Sequence, residues 1–376
     1  MRNARDIKWY HIFILGIIIR IVFIVLCWLI VLITQFHAMG FIQTLDKMIQ
    51  STDARWYIEL AKQWYAMTEN GQHYFVVYFP LYPLLIKYIM CYGFNPLISS
   101  YIVSILSFSG GLTYLYYLTK IDFGDRVAIL TIIFISIFPV SFFFGAPMTE
   151  SVFLLTSAGC LYHIRTHKWL YAGIFGILAS MTRSLGIILV GIALIELILF
   201  YWPNKKEIIK KSVYLLLYPI GLSIYLYINY KYTGDAFKFV YYQRTHWSTH
   251  AQAFWTTFIY QIKAIKFSTA DLVNRALHIH IPNIIAMLFA LFTIIYGAIK
   301  KSPLYLLIYA ITYSIMAYAM SWLLSGSRYT LLCLPLFIYL AKFADKSKAR
   351  FVVISTISII LLVVYFSAFL RGKFVY

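Results

Sequence analysis

Long apolar runs recur through this chain of 376 residues, from residue 12 to residue 365. A membrane-spanning helix needs about 20 apolar residues, and several of the runs reach that length. They lack the polar alternation of a transmembrane β-strand. Composition agrees, because 62% of the residues are hydrophobic and 12% are charged, whereas soluble domains are about half apolar and about a quarter charged. The sequence therefore predicts an all-α, polytopic integral membrane protein.

The first run, residues 12–33, is too long for the apolar core of a signal peptide, so we expect it to be retained. With it, the chain has about eleven predicted transmembrane helices in a single domain, residues 1–376. The other ten are expected at residues 97–118, 127–144, 151–164, 170–181, 185–201, 213–230, 281–299, 304–324, 329–340 and 351–369. Arg20 lies within the first helix, and its long side chain is expected to reach the lipid headgroups.

Two segments are expected to lie outside the cytoplasm. The first, residues 35–96, contains a predicted amphipathic helix at 53–67 and a short apolar run at 79–90. Two prolines interrupt that run, which indicates a re-entrant or interfacial helix. The second outer segment is residues 231–280. With the N-terminus in the cytoplasm, every short basic cluster falls on the cytoplasmic side, as the positive-inside rule requires. We therefore expect a multi-pass protein of the bacterial plasma membrane, or of the endoplasmic reticulum if the chain is eukaryotic.

The net charge of +19 indicates contact with anionic headgroups of membrane lipids and not with nucleic acid. No motif for a nucleotide cofactor is present. His246 and His250, and likewise His278 and His280, are spaced closely enough to share a metal, but no carboxylate or thiol accompanies them at a matching spacing. We predict neither a metal nor a cofactor.

The predicted topology gathers ionisable residues from six separate parts of the sequence at the outer face. They are Asp53, Glu150, Arg183, Asp235, His246 and Arg328. Ionisable groups at helix ends are costly where they face lipid, so this set indicates a shared polar cavity.

Short sequence blocks follow one another in the order found in a known family. They are DARWY from Asp53, FPLYP from Phe79, FP at Phe138 to MTES from Met148, TRSLG from Thr182, TGD at Thr233 to Trp247, and SGSRY at Ser325 to Pro335. In these blocks the chain resembles the PIG-V family of membrane mannosyltransferases and its bacterial relatives. DARWY stands where the eukaryotic enzyme is expected to have a Trp-Asp motif, which favours a bacterial relative.

The resemblance implies a GT-C glycosyltransferase, a multi-helix enzyme that takes a sugar from a polyprenyl phosphate at the non-cytoplasmic face. The implied sugar is mannose or a related hexose, and the implied acceptor is a lipid or a glycan. GT-C enzymes place a catalytic carboxylate in the first outer loop, where this chain has Asp53. Inverting transfer needs one base for the proton of the acceptor hydroxyl. Alternatively, Asp53 caps the helix that begins beside it.

Substrate-binding roles are predicted for five further residues. Arg183 and Arg328 suit a departing lipid phosphate, because a guanidinium offers paired donors; alternatively, each reaches the headgroups. Glu150 either orients substrate or complements a helix dipole. Gln243 and Trp247 lie in the second outer segment, where a Trp face suits a sugar ring but is equally an interface anchor.

Two non-enzymatic functions remain open from the sequence. A secondary transporter would explain ionisable groups among helices, but it should show inverted repeats, which are not evident. A flippase for polyprenyl phosphate lipids would need the arginines but not Asp53.

Overall fold

The computed structural model describes residues 7–34, 40–50, 52–321, 323–371 and 373. About 80% of the chain is helical, and the described residues contain no strand beyond two isolated bridges. The helices are α1 Trp9–Thr34, α2 Phe41–Gln50, α3 Ala54–Gln63, α4 Leu81–Met90, α5 Pro96–Ile137, α6 Glu150–Arg165, α7 Trp169–Thr182, α8 Ile188–Tyr201, α9 Lys205–Ser212, α10 Tyr218–Thr233, α11 Lys238–Thr245, α12 Phe254–Lys263, α13 Ala270–Arg275, α14 Ile281–Ile299, α15 Leu304–Tyr318, α16 Gly326–Thr330, α17 Leu334–Ala344 and α18 Lys348–Leu370. This confirms the all-helical prediction.

Five helical stretches of the described chain are long and apolar enough to cross a membrane. They are Trp9–Ile33, Ser184–Tyr201, Lys205–Thr233, Ala270–Ile299 and Lys348–Leu370. The predicted count of about eleven spans is therefore not confirmed. The outer faces of these helices carry exposed aliphatic side chains, for example Ile18 in α1, Leu288 in α14 and Val363 in α18. Surfaces of this kind are suited to lipid and not to water, and the chain has the features of a multi-pass membrane protein.

Helix α5 forms the centre of the bundle and packs against α1, α4, α6 and α17. It contains one non-helical residue, Gly124, with φ 82° and ψ 172°, which is a conformation that glycine adopts without strain. The turn at Gly124 falls within the basic stretch 120–126 that the sequence places between two spans. The predicted helices at 97–118 and 127–144 thus form one helical stretch that is broken at a single residue and ends at Ile137, and residues 141–144 form a separate 3₁₀ turn.

The first outer segment folds as a layer on one end of the bundle. Helix α3 lies within the predicted amphipathic stretch, and its buried face carries Tyr57, Leu60 and Ala61. Its remaining buried residues are Ala54 and Ile58. Helix α4 has ten residues, about 15 Å at 1.5 Å per residue, which is too short to cross a membrane and agrees with the expected non-spanning helix.

A separate core holds this layer in place. Tyr65, Phe75, Val76 and Tyr82 are buried in it, together with Tyr242 of α11 from the second outer segment. The Tyr242 hydroxyl donates to Gln72 Oε1 at 3.1 Å. The two outer segments therefore pack on each other and enclose the space above the bundle.

Candidate functional site

A cavity of about 430 Å³ lies between the two outer segments and the helix ends beneath them. We call it the central cavity. Its walls come from α3, the stretch 77–79, the junction of α7 with α8, the end of α11 and the stretch 316–329. Five of the six residues predicted for the site line it, namely Asp53, Arg183, Gln243, Trp247 and Arg328. Asp235 and His246, also expected at this face, are not part of its lining.

Asp53 immediately precedes α3, and its side chain forms no capping hydrogen bond. The carboxylate is partly buried, and the Tyr78 hydroxyl donates to Oδ1 at 3.3 Å. Among the described residues, Asp53 has no ion-pair partner and Oδ2 accepts no hydrogen bond. The Asp53 carboxylate therefore does not cap α3, which was the alternative role considered from the sequence. Its Oδ2 is open to a ligand hydroxyl.

Tyr57 and Tyr78 stand beside Asp53 and were not singled out from the sequence. Burial, followed by the charge of Asp53, raises the pKa of both hydroxyls far above the ordinary value for tyrosine. Tyr78 is therefore a proton donor to Asp53 at physiological pH. Tyr78 directly precedes the FPLYP block. This position beside the block was the feature of the sequence that could have identified Tyr78.

Arg183 and Arg328 converge on one buried carboxylate, Glu150. Arg183 Nη1 lies 2.9 Å from Glu150 Oε1, and Arg328 Nε lies 2.7 Å from the same oxygen. The Glu150 side chain is 0% exposed, and the arginine side chains are 14% and 10% exposed. Arg183 also donates to the Thr149 hydroxyl at 3.3 Å. Two positive charges against one negative charge leave this wall of the cavity with a net charge of +1.

Glu150 begins α6, as expected, but it does not line the central cavity. It lies behind the arginines and holds them in position. The sequence placed Glu150 among the substrate-binding residues, whereas the structure places it one layer deeper. Its helix-start position is visible in the sequence, but its depth and its double ion pair depend on tertiary packing.

Local backbone structure explains the position of Arg183. The residue is extended, with φ −155° and ψ 149°, between the end of α7 and the 3₁₀ turn Ser184–Ile187. Gly186 in that turn packs so closely on α7 that an added Cβ would lie 2.3 Å from the Ala179 carbonyl oxygen. The Arg183 amide donates to that same oxygen at 3.1 Å. The glycine of the TRSLG block therefore permits the close approach that positions Arg183.

Arg20 supports the loop that leads to Glu150. It is 1% exposed and donates to the Ser141 carbonyl oxygen at 2.8 Å, and its guanidinium lies 4.0 Å from the centroid of the Phe108 ring. The expectation that Arg20 reaches the headgroups was wrong, because its donors meet the carbonyls at the break after α5. The next residues of that loop carry the chain to the start of α6.

Gln243 and Trp247, from the second outer segment, also line the cavity. The Gln243 carbonyl accepts from the Thr249 amide at 2.8 Å, which closes the turn after α11. Trp247 contacts Tyr74 edge-on, and Tyr74 stacks on His246 with centroids 4.3 Å apart. His246 thus has an aromatic partner. A cavity lined by both a Trp side chain and two arginines suits a ligand that has a ring with apolar faces and an anionic group.

Within the described residues, no three His, Cys, Asp or Glu side chains come together in a group that could hold a metal ion. The His278 and His280 pair lies at the π-helical turn Ala276–His280. His280 Nδ1 is 2.6 Å from Gln261 Oε1, so it has a protein partner.

The fold resembles that of an oligosaccharyltransferase from Archaeoglobus fulgidus. In the apo form, that structure matches 98% of this chain at 11% identity with a TM-score of 0.53, and the match covers 57% of its own length. A second structure of the protein, AglB, in complex with an inhibitory peptide and a dolichol-phosphate, matches 86% of this chain at 11% identity with a TM-score of 0.48 and covers 52% of its length. No family model and no curated protein sequence matches the chain. The chain therefore shares its fold with this archaeal oligosaccharyltransferase, and it spans little more than half the length of these neighbours.

Proposed function

We propose that this protein is a glycosyltransferase that moves a hexose from a polyprenyl phosphate to an acceptor at the non-cytoplasmic membrane face. The sugar is mannose or a closely related hexose, and the acceptor is a lipid or a glycan. The proposal rests on one observation above all. A carboxylate with an open oxygen and a pair of arginines line a single cavity, in a fold that resembles that of an oligosaccharyltransferase.

Asp53 acts as the general base in this proposal. Its open oxygen accepts the proton of the acceptor hydroxyl while the hydroxyl oxygen attacks the anomeric carbon. The bond between that carbon and the phosphate oxygen breaks on the opposite side, so the configuration inverts. Tyr78, which donates to the other carboxylate oxygen, orients the base. A single carboxylate is sufficient for this chemistry.

Arg183 and Arg328 stabilise the leaving group. A departing lipid phosphate gains negative charge, and guanidinium groups held in place before the reaction meet that charge without reorganisation. Glu150 supplies the anchoring, because it is buried between the two arginines. Its single charge leaves one positive charge over, and that excess favours a phosphate in the cavity.

Gln243 and Trp247 hold the sugar. The indole presents an apolar face for the ring, and the amide of Gln243 offers both a donor and an acceptor for its hydroxyl groups. The residues come from the second outer segment, so the sugar would lie between this segment and Asp53. Asp53 and Arg183 would then act on opposite sides of the anomeric carbon.

The test is a transfer assay with purified protein. Membranes from source cells that lack the protein supply the acceptor, and radiolabelled polyprenyl phosphate mannose supplies the sugar, in the presence of a chelator. We expect label to enter a lipid or glycan fraction only when the protein is added. Robust transfer from a nucleotide sugar under the same conditions, or donor binding without transfer from any polyprenyl phosphate hexose, would overturn the proposal; the second result would favour a lipid flippase.

A further inference from the structure

A second cavity, of about 310 Å³, lies beside the central cavity, and Leu324 lines both of them. We call this second cavity the basic pocket. Three cationic side chains line it, Lys263, Lys266 and Arg275. Its remaining lining is mainly apolar and consists of Tyr260, Ala264, Leu272, Ile279, Leu323 and Leu324, with His280 at one side.

Within the part of the chain that the structure describes, the positive charges of the basic pocket exceed the negative charges. Arg275 pairs with Asp271, with Nε 2.9 Å from Oδ2. Lys263 and Lys266 are both exposed and form no ion pair with another described residue. Three positive charges against one carboxylate leave a net charge of +2 at the mouth of the pocket. An anion is therefore the ligand that the charge distribution favours.

The position of the pocket relates it to the membrane. Arg275, Leu272 and Ile279 lie on the continuous helical stretch Ala270–Ile299, which is a candidate span of 30 residues. At 1.5 Å per residue this helix is about 45 Å long, which matches a bilayer including its headgroups. Arg275 belongs to the first turns of this helix and therefore lies at headgroup depth. Ile279, one turn deeper than Arg275, would then lie at the level where the acyl chains begin.

The wall between the two cavities is fixed by buried amides. The Leu323 carbonyl accepts from Gln261 Nε2 at 2.8 Å and from Asn283 Nδ2 at 2.8 Å. Asn283 Oδ1 in turn accepts from the amide of Ser327, which precedes Arg328, at 3.2 Å. Buried hydrogen bonds therefore hold the wall of the basic pocket at Leu323 in place.

We propose that the basic pocket binds the phosphate headgroup of an anionic membrane lipid. The phosphate contacts Lys263, Lys266 and Arg275, and the first carbons of the acyl chains pack on the deeper apolar lining of the pocket, at the level of Ile279. This site is distinct from the central cavity, and the proposal holds whether or not the protein transfers a sugar. A lipid source accounts for the apolar half of the lining, which a free phosphate would leave unused.

Direct binding tests this proposal. The purified full chain in an uncharged detergent is titrated with three probes, namely short-chain phosphatidic acid, short-chain phosphatidylcholine and inorganic phosphate. The test variant is Lys263→Gln with Lys266→Gln. The matched control is Lys231→Gln with Lys238→Gln, which removes the same two charges from the same outer segment outside the pocket. Melting temperatures of both variants should equal that of the wild type, because all four lysines lie at the surface.

We expect the wild type to bind phosphatidic acid more tightly than either other probe. The test variant should weaken that binding at least about tenfold, because it removes two of the three cationic side chains that contact the phosphate, and the control should not. Equal weakening in both variants would show general surface attraction and overturn the site. Binding of inorganic phosphate as tight as that of the lipid would overturn the lipid ligand, and an unaffected test variant would place the lipid elsewhere.

Discussion

The two carboxylates at the site differ in what surrounds them, and this difference assigns their roles. Glu150 is buried and carries two arginines, so it has no freedom to take a proton from a ligand. Asp53 is partly buried, has no cationic partner among the described residues and faces the cavity. A general base must reach its substrate before its basicity matters. We therefore assign the base to Asp53 and regard Glu150 as a positioning residue.

Arg183→Lys should damage transfer although the charge is kept. Arg183 Nη1 donates to both Glu150 and Thr149. The other nitrogens of the planar guanidinium keep further N–H donors for a phosphate. A lysine ammonium would be drawn to Glu150 and would offer no paired donors. We expect turnover to fall at least about tenfold, or about 1.4 kcal/mol of transition-state stabilisation. Arg244→Lys, an exposed residue outside the cavity lining, is the control; unchanged kinetics for Arg183→Lys would make Arg183 structural.

Glu150→Gln should lower stability as well as activity. Removing the charge leaves two nearly buried arginines facing each other, and loss of one partner of a buried ion pair costs about 3–5 kcal/mol. Thermal unfolding in detergent measures the effect. The control is Glu207→Gln, which breaks a surface contact to Lys210 at 3.8 Å and should leave the unfolding temperature unchanged. Equal stability of the two variants would contradict the anchoring role of Glu150.

At the scale of elements, the site depends on a close contact between α7 and the turn that follows Arg183. Gly186→Ala should displace this turn, because the new Cβ would meet the Ala179 carbonyl at 2.3 Å, and backbone cannot move aside as a flexible side chain can. We expect a large loss of transfer. Gly191→Ala lies in the same helical stretch and has nothing within 4 Å of the added Cβ, so transfer by this variant should be preserved. Similar activities of the two variants would show that the turn does not position Arg183.

At the scale of the whole molecule, composition and apolar runs were sufficient to predict a helical membrane protein, because lipid imposes both. The short blocks were sufficient to select Asp53, Arg183 and Arg328, which the fold brings to one cavity. Helix continuity was less predictable. The stretches 205–233 and 270–299 are each continuous, although their basic or polar first turns resemble loops in the sequence. The burial of individual charged side chains was not predictable either, because Arg20 and Glu150 are buried by partners that come from distant segments of the chain.

The orientation of the whole molecule remains a prediction, and accessibility to a reagent tests it. Gln72 and Ser248 are exposed at the rim of the outer layer. In a variant without its native cysteines, a single cysteine at either position should react with an impermeant thiol reagent added to intact cells. A cysteine at Lys206 of α9, on the opposite side in the predicted topology, should react only after permeabilisation. The reverse pattern would place the central cavity at the cytoplasmic face.

The comparison of Asp53→Asn with Asp235→Asn tests the central claim most directly. Both changes replace an aspartate by its amide in an outer segment, but Asp235 does not line the cavity, and its Oδ1 accepts a hydrogen bond from the Phe237 amide. Transfer from polyprenyl phosphate mannose and binding of that donor are measured for both variants, with a chelator present. We predict that Asp53→Asn loses about a hundredfold or more of its transfer rate and retains donor binding, while Asp235→Asn retains both. Full transfer by Asp53→Asn would contradict the assignment of Asp53 as the general base.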